Sequence, residues 1–188
     1  MSLVVHELGR AQQAAITDHF LALNAEDRRL RFGLVLSDDS LRKYVADIPY
    51  GSDSLFGVYA DDLTLLAVAH LASRADPAEL GLSVLPAARG QGVGSLLFAR
   101  AVMRARNLGL SRLFMHCLAQ NDAILHIARK AGMKVTTESG EADAWLELPP
   151  VALDSLGVDA LRNQEAWLDW MLKASLAAPR AVVPAPKR

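Results

Sequence analysis

The segment that most narrows the fold is Arg89-Gly90-Gln91-Gly92-Val93-Gly94, which sits between an apolar run ending at Pro86 and a long run of helical period. Glycines in such a turn can take positive φ and bring the backbone close to a ligand. The unpaired N–H groups of the helix that follows form a ready anion site. Two readings stand at this level: a turn whose glycines only satisfy geometry, or a cradle for a pyrophosphate. The G-x-G-x-G spacing, late in the chain, is not the G-x-G-x-x-G that follows the first strand of a dinucleotide fold. Gly94-Ser95-Leu96 also lacks the Gly-Lys-Ser/Thr ending of a Walker A loop.

The flanking periodicities predict a mixed α/β order. Ser2 to Leu8 reads as a strand and Arg10 to Leu23 as a helix; Asn24 caps a helix over Ala25 to Phe32, and Ser37 starts another that ends before Pro49. Leu55 to Tyr59, Leu63 to Leu71 and Glu79 to Val84 then read as a three-strand meander. Past the glycine turn, a helix runs to Gly109. Arg112 to Leu118 reads as a strand buried on both faces, Asn121 to Ala131 as a helix, and Met133 to Glu138 with Ala142 to Leu148 as a closing hairpin. After Pro149-Pro150 comes a helix in which Trp167, Trp170 and Met171 share a face suited to packing on the sheet, and then an Ala/Pro tail. The expected division is a domain over 1–150, a C-terminal helix over 151–176 packed on it or at an interface, and a disordered tail over 177–188.

Composition excludes several functions. With 52% hydrophobic and 22% charged residues the chain reads as one globular domain. Twenty basic against 21 acidic residues leave no field to hold a nucleic acid or an anionic membrane. No segment reads as a signal peptide or a membrane span. The single Cys117 can form no internal disulfide, so a cytoplasmic protein is expected. His6, His19 and His70 show no metal-ligand spacing, and no metal is expected.

The glycine turn, with Leu82-Ser83-Val84-Leu85-Pro86 before it, Asn121-Asp122-Ala123-Ile124 after the next strand and Lys130-Ala131-Gly132-Met133 beyond, resembles the signature of the GCN5-related N-acetyltransferases. The motifs span roughly Leu55 to Leu148. The resemblance implies a single α/β domain with a mixed, mostly antiparallel sheet, flanked by helices and splayed between the fourth and fifth strands. It implies acetyl-CoA as co-substrate and an amine acceptor. Its pyrophosphate would lie on Arg89, Gly90, Gln91, Gly92, Val93, Gly94 and Ser95, and its pantetheine on main-chain groups of Val84 and Leu85, with Asn121 opposite. The expected function is acetyl transfer to a primary amine of a small molecule or protein by direct attack in a ternary complex.

The catalytic candidates are fewer. Glu79 resembles the position from which some members supply a general base; the other reading is an exposed carboxylate at a strand start. Many members carry, seven residues after the asparagine, a tyrosine that protonates the leaving thiolate, and here that position is Ala128. This departure motivates an alternative, a non-catalytic acyl-CoA-binding or regulatory domain, and leaves His116 and Cys117 as the nearest substitutes by topology. His126 lies off the helix face shared by Asn121 and Ala128 and reads as a surface residue. Arg28, Arg29 and Arg31 with Phe32 and Tyr44 either line an acceptor groove for a carboxylate or phosphate, or are solvated helix charge. A third reading makes the C-terminal helix a homodimer contact and the glycine turn purely structural.

Overall fold

Short β-branched and aliphatic runs, buried on both faces over residues 54–59 and 65–71, build the sheet, and the computed structural model, which describes residues 3–73, 77–151 and 153–177, fixes its order. Strand β1 (Val5–Leu8) is followed by a short 3₁₀ turn and by helices α1 (Gln13–Leu21), α2 (Ala25–Phe32) and α3 (Asp38–Asp47). Asn24 and Ser37 cap α2 and α3 through side chains that accept from the amides of Asp27 and Ser40. Strands β2 (Ser54–Tyr59), β3 (Leu65–Ala72) and β4 (Ala78–Val84) form the expected antiparallel meander. The expected start of the second of these at Leu63 is corrected to Leu65: Leu63 sits at φ 67° in a turn where Asp62 accepts from the Thr64 amide.

Helix α4 (Val93–Asn107) leads to β5 (Arg112–Leu118), α5 (Asp122–Lys130), β6 (Lys134–Glu138), β7 (Glu141–Glu147) and α6 (Leu153–Ala177). The seven strands lie in the order β1-β2-β3-β4-β5-β7-β6, and all neighbours are antiparallel except β4 and β5. That parallel pair holds only at Ala78–Leu113 and Glu79–Phe114. Beyond those two pairs the strands diverge, and the rest of β4 faces an opening. β5 was expected to be buried on both faces; it instead alternates, with Leu113, Met115 and Cys117 buried and Arg112 and His116 exposed. Its second face, with Phe114 and Leu118 half-buried, looks out beside the opening.

Two apolar layers cover the sheet. One joins Phe56, Ala69, Leu80 and Leu82 to Val93, Leu97 and Ala101 of α4; the other joins Leu55, Leu65 and Val68 to Ile16, Phe20, Leu41 and Val45 of α1 and α3. Helix α6 lies against β1 and α4. Of the aromatic face expected there, Trp170 packs on Tyr59 and His6, whereas Trp167 and Met171 are exposed, because the turn of the helix carries them past the sheet edge. Of the expected tail over 177–188, Ala177 ends α6 and residues 178–188 lie outside the described residues.

Buried charge fastens α6. Asp169 accepts from His6 Nε2 at 2.9 Å and from Lys173 Nζ at 2.9 Å, and Lys173 also donates to the Tyr59 carbonyl at 3.0 Å. Burial lowers the His6 pKa against the opposing pull of Asp169. Removing one member of such a group leaves its partner charged and dry. Asp169→Asn is expected to cost about 3 kcal/mol in urea unfolding, and adding Lys173→Met is expected to restore part of that loss.

Candidate functional site

The opening beside β4 holds two connected clefts. Main-chain parity sets which strand groups face it: the Leu85 amide donates to Leu66 of β3 at 2.8 Å, so the alternate residues Leu82 and Val84 turn their N–H and C=O groups toward the opening. The expectation that Leu85 offers its main chain there is corrected accordingly. Its amide is spent on β3 and its side chain lies in the α1–α3 apolar layer. The Val84 carbonyl already accepts from Arg89 Nε at 3.0 Å.

The first cleft, about 560 Å³, runs from the glycine turn along β4, between α2 and α5. Gly90 at φ +73° and Gly92 at φ +79° hold the turn in the left-handed region, and Gly92 opens α4 without a side-chain cap. The first α4 amides, Val93, Gly94 and Ser95, therefore point into the cleft mouth without intrahelical acceptors. Gly94 is needed for close approach: a Cβ there would stand 2.8 Å from Ile127 Cδ1 of α5. The mouth carries the cations Arg89 and Lys130, with His126 beside them on its walls, and the interior is apolar, with Leu82, Val84, Ile124 and Ile127. Gln91, expected at the pyrophosphate, is exposed and donates its side-chain amide to the Ala87 carbonyl at 3.0 Å. Arg89 is held by Asp27 of α2 at 2.6 Å. An amphiphilic ligand with one anionic end and a long apolar arm fits this polarity.

The second cleft, about 310 Å³, opens on the far side of the divergence and shares Leu30, Arg31, Leu82, Asn121 and Ile124 with the first. Glu79 is exposed at its floor, where β4 last pairs with β5. Asn121 stands on the boundary and is 8% exposed; its Oδ1 caps α5 through the Ile124 amide and its Nδ2 donates to the Leu30 carbonyl, both at 3.3 Å. It thereby ties α5 to α2. His116 was expected inside a buried strand, but it stands exposed at the rim, where its Nδ1–H donates to Asp143 at 2.8 Å. Cys117 is buried, and burial first, then the Asp143 charge, raises its pKa, which leaves the thiol protonated and inert. Ala128 is fully buried in the α4-side apolar layer. Among the described residues no group of three or more His, Cys, Asp or Glu can hold a metal ion, and no helix is long and apolar enough to cross a membrane.

Tyr44 was expected at an acceptor groove, but the sequence did not place His70 beside it, His126 on a cleft wall or His19 behind the clefts. Tyr44 donates to His70 Nδ1 at 2.6 Å, and His70 Nε2–H donates to Asp53 at 3.0 Å, which fixes the ring beside the second cleft. His126, read as a surface residue, is exposed yet on the first cleft's wall. His19 is buried behind both clefts, where its Nδ1–H donates to the Leu65 carbonyl at 2.9 Å and its Nε2 accepts from Ser83 at 2.7 Å.

A model of the acetyltransferase (GNAT) family matches residues 22–133, more than half of the chain. The chain belongs to the acetyltransferase (GNAT) family. Its reaction class is acetyl transfer. Solved structures share the fold of this GNAT. The GNAT domain of S. lividans PAT is 18% identical, with 77% of this chain and 89% of that chain covered at a TM-score of 0.65. A phosphinothricin acetyltransferase from Sinorhizobium meliloti in complex with AcCoA is 16% identical, with 80% and 94% covered at 0.62. Spermidine N-acetyltransferase from Vibrio cholerae in complex with CoA and spermine is 18% identical, with 77% and 94% covered at 0.61. No curated protein matches the sequence.

His19 gives this GNAT a built-in acid sensitivity. Burial lowers its pKa from the ordinary 6.5 to about 4, so between those values the unfolded chain binds the extra proton. Stability is therefore expected to fall as pH drops from about 6.5 to about 4, by on the order of 3 kcal/mol. Urea midpoints of the wild type and of His19→Gln at pH 7 and pH 4.5 check this; the wild type loses more.

Proposed function

We propose that this GNAT transfers the acetyl group of acetyl-CoA directly to a primary amine within a ternary complex. The observation that carries the reading is that two clefts of different polarity meet at Asn121, Leu82 and Ile124, where β4 and β5 part. In this reading the first cleft holds the donor. Its pyrophosphate lies on the free amides of Val93 to Ser95, favoured by the α4 dipole and by Arg89 and Lys130. The pantetheine arm adds an extended segment to the unpaired edge of β4 at Leu82 and Val84, and the acetyl group reaches the junction.

The acceptor enters through the second cleft. Glu79 takes a proton from its ammonium, the amine nitrogen attacks the thioester carbonyl, and an N–C bond forms as the C–S bond breaks. Main-chain N–H groups of the open β4 edge hold the developing oxyanion. Ala128 has no proton to give, so the CoA thiolate leaves as such and takes its proton from water. Direct transfer fits better than an acyl-enzyme, because the one cysteine nearby, Cys117, is buried with a raised pKa.

Two substitutions test the reading. Gly92→Asp sets a negative charge at the start of α4, and acetyl-CoA affinity measured by calorimetry is expected to fall at least about 100-fold while the thermal transition remains cooperative. For Glu79→Gln, thiol release at neutral pH is expected to drop by about 100-fold, with acetyl-CoA affinity retained. An unchanged rate removes Glu79 as the base; unchanged affinity in Gly92→Asp removes the donor assignment.

A further inference from the structure

The three arginines of α2 look equivalent in the sequence but are used differently. Arg28 donates to the carbonyls of Leu21, Leu23 and Leu36 and pairs with Asp38, which ties off the turn around α2. Arg29 makes a two-pronged pair with Glu26 on the exposed side. Arg31 has no carboxylate partner among the described residues. Its Nη2 reaches only the Tyr44 hydroxyl, at 3.3 Å, and its buried Nε makes no hydrogen bond.

The place of this cation is unusual as well. Its guanidinium lies over the Phe32 ring at 4.8 Å and flat against Gly81, in the space that any side chain at position 81 would fill. Gly81, in the middle of β4 on the second cleft's wall, thus makes room for Arg31, which lines both clefts. A half-buried guanidinium without a counter-ion is electrostatically incomplete, and a planar carboxylate is the group that best completes it.

We propose that the acceptor is a small amine that also carries a carboxylate, of the amino-acid class, and that Arg31 binds the carboxylate while Glu79 faces the amine. This rests on the acetyl-transfer reading above. Glu79 and Gly81 lie two residues apart on one face of β4, so the carboxylate and the guanidinium stand on the order of 7 Å apart along the strand. An amine and a carboxylate separated by one or two carbons bridge that span when each makes a hydrogen bond of about 3 Å. The remaining ionisable side chains lining this cleft are Tyr44 and His70, bonded to each other with His70 also engaged by Asp53, His116, engaged at the rim by Asp143, and the buried Cys117. No second free carboxylate lines the cleft among the described residues, so a polyamine meets Arg31 with like charge and finds one acidic partner.

The test is thiol release from acetyl-CoA with the twenty free amino acids, the carboxamides of those that respond, spermidine and a lysine-containing peptide. At least one amino acid is expected to show kcat/KM tenfold or more above its carboxamide, and above spermidine and the peptide. Arg31→Gln is expected to bring the ratio of amino acid to carboxamide down toward one, and Arg31→Lys, which keeps the charge without the planar fork, to an intermediate value. A carboxamide, the polyamine or the peptide working as well as the amino acid overturns the proposal, and that comparison needs only the wild type. A parallel loss of acetyl-CoA affinity in Arg31→Gln also overturns it, since Arg31 then serves the donor. Absence of thiol release with every amine, with acetyl-CoA bound, instead overturns the transfer reading on which this one rests.

Discussion

Everything at the site depends on a parallel strand pair that stops after two residue pairs. A sheet interior normally satisfies every main-chain group, and an unpaired edge inside a protein is costly. Here β4 loses its neighbour beyond Glu79, and the helices do not close the gap. The exposed edge at Leu82 and Val84 is a vacant strand position, open to an extended ligand, and the parity set by the Leu85–Leu66 bond determines which main-chain groups it offers. The two clefts are the two sides of that one opening.

Side chains around the opening keep its walls in place. Asn121 joins the cap of α5 to the end of α2, and Arg89 joins the glycine turn to α2 through Asp27. One helix, α2, is thus held at both ends of the first cleft and presents Arg31 where the two clefts meet. The polarity of the first cleft follows from the same elements: cationic where α4 begins, apolar where Ile124 and Ile127 of α5 face β4.

Much of this is legible in the sequence, and the illegible parts share a cause. The meander, the glycine turn and the position of Asn121 rest on local signals: period, turn residues and cap chemistry. Glu79 reads from its place at a strand start. What eludes the sequence depends on which of several candidate partners each group takes in the folded chain. Gly81 looks like a weak spot in a strand until Arg31, fifty positions earlier, is seen lying on it. Arg28, Arg29 and Arg31 cannot be ranked until Asp38 and Glu26 are known to claim the first two. His116 looks buried because β5 is rich in apolar residues, yet the strand lies beside the opening and shows one face to water. The Leu85 expectation failed because strand parity is set by the register with β3, which composition does not encode.

The break in the sheet also divides the chain in order. Strands β1 to β4 come from residues 5–84 and strands β5 to β7 from residues 112–147, and α4 is the bridge between them. The first half pairs strands in chain order, the second inserts β7 between β5 and β6, and the long connection across α4 is closed at a seam of only two residue pairs. The entropy of bringing distant segments together is therefore concentrated at that seam. Both clefts are lined from both sides of the seam, so neither half of the chain alone carries the whole site.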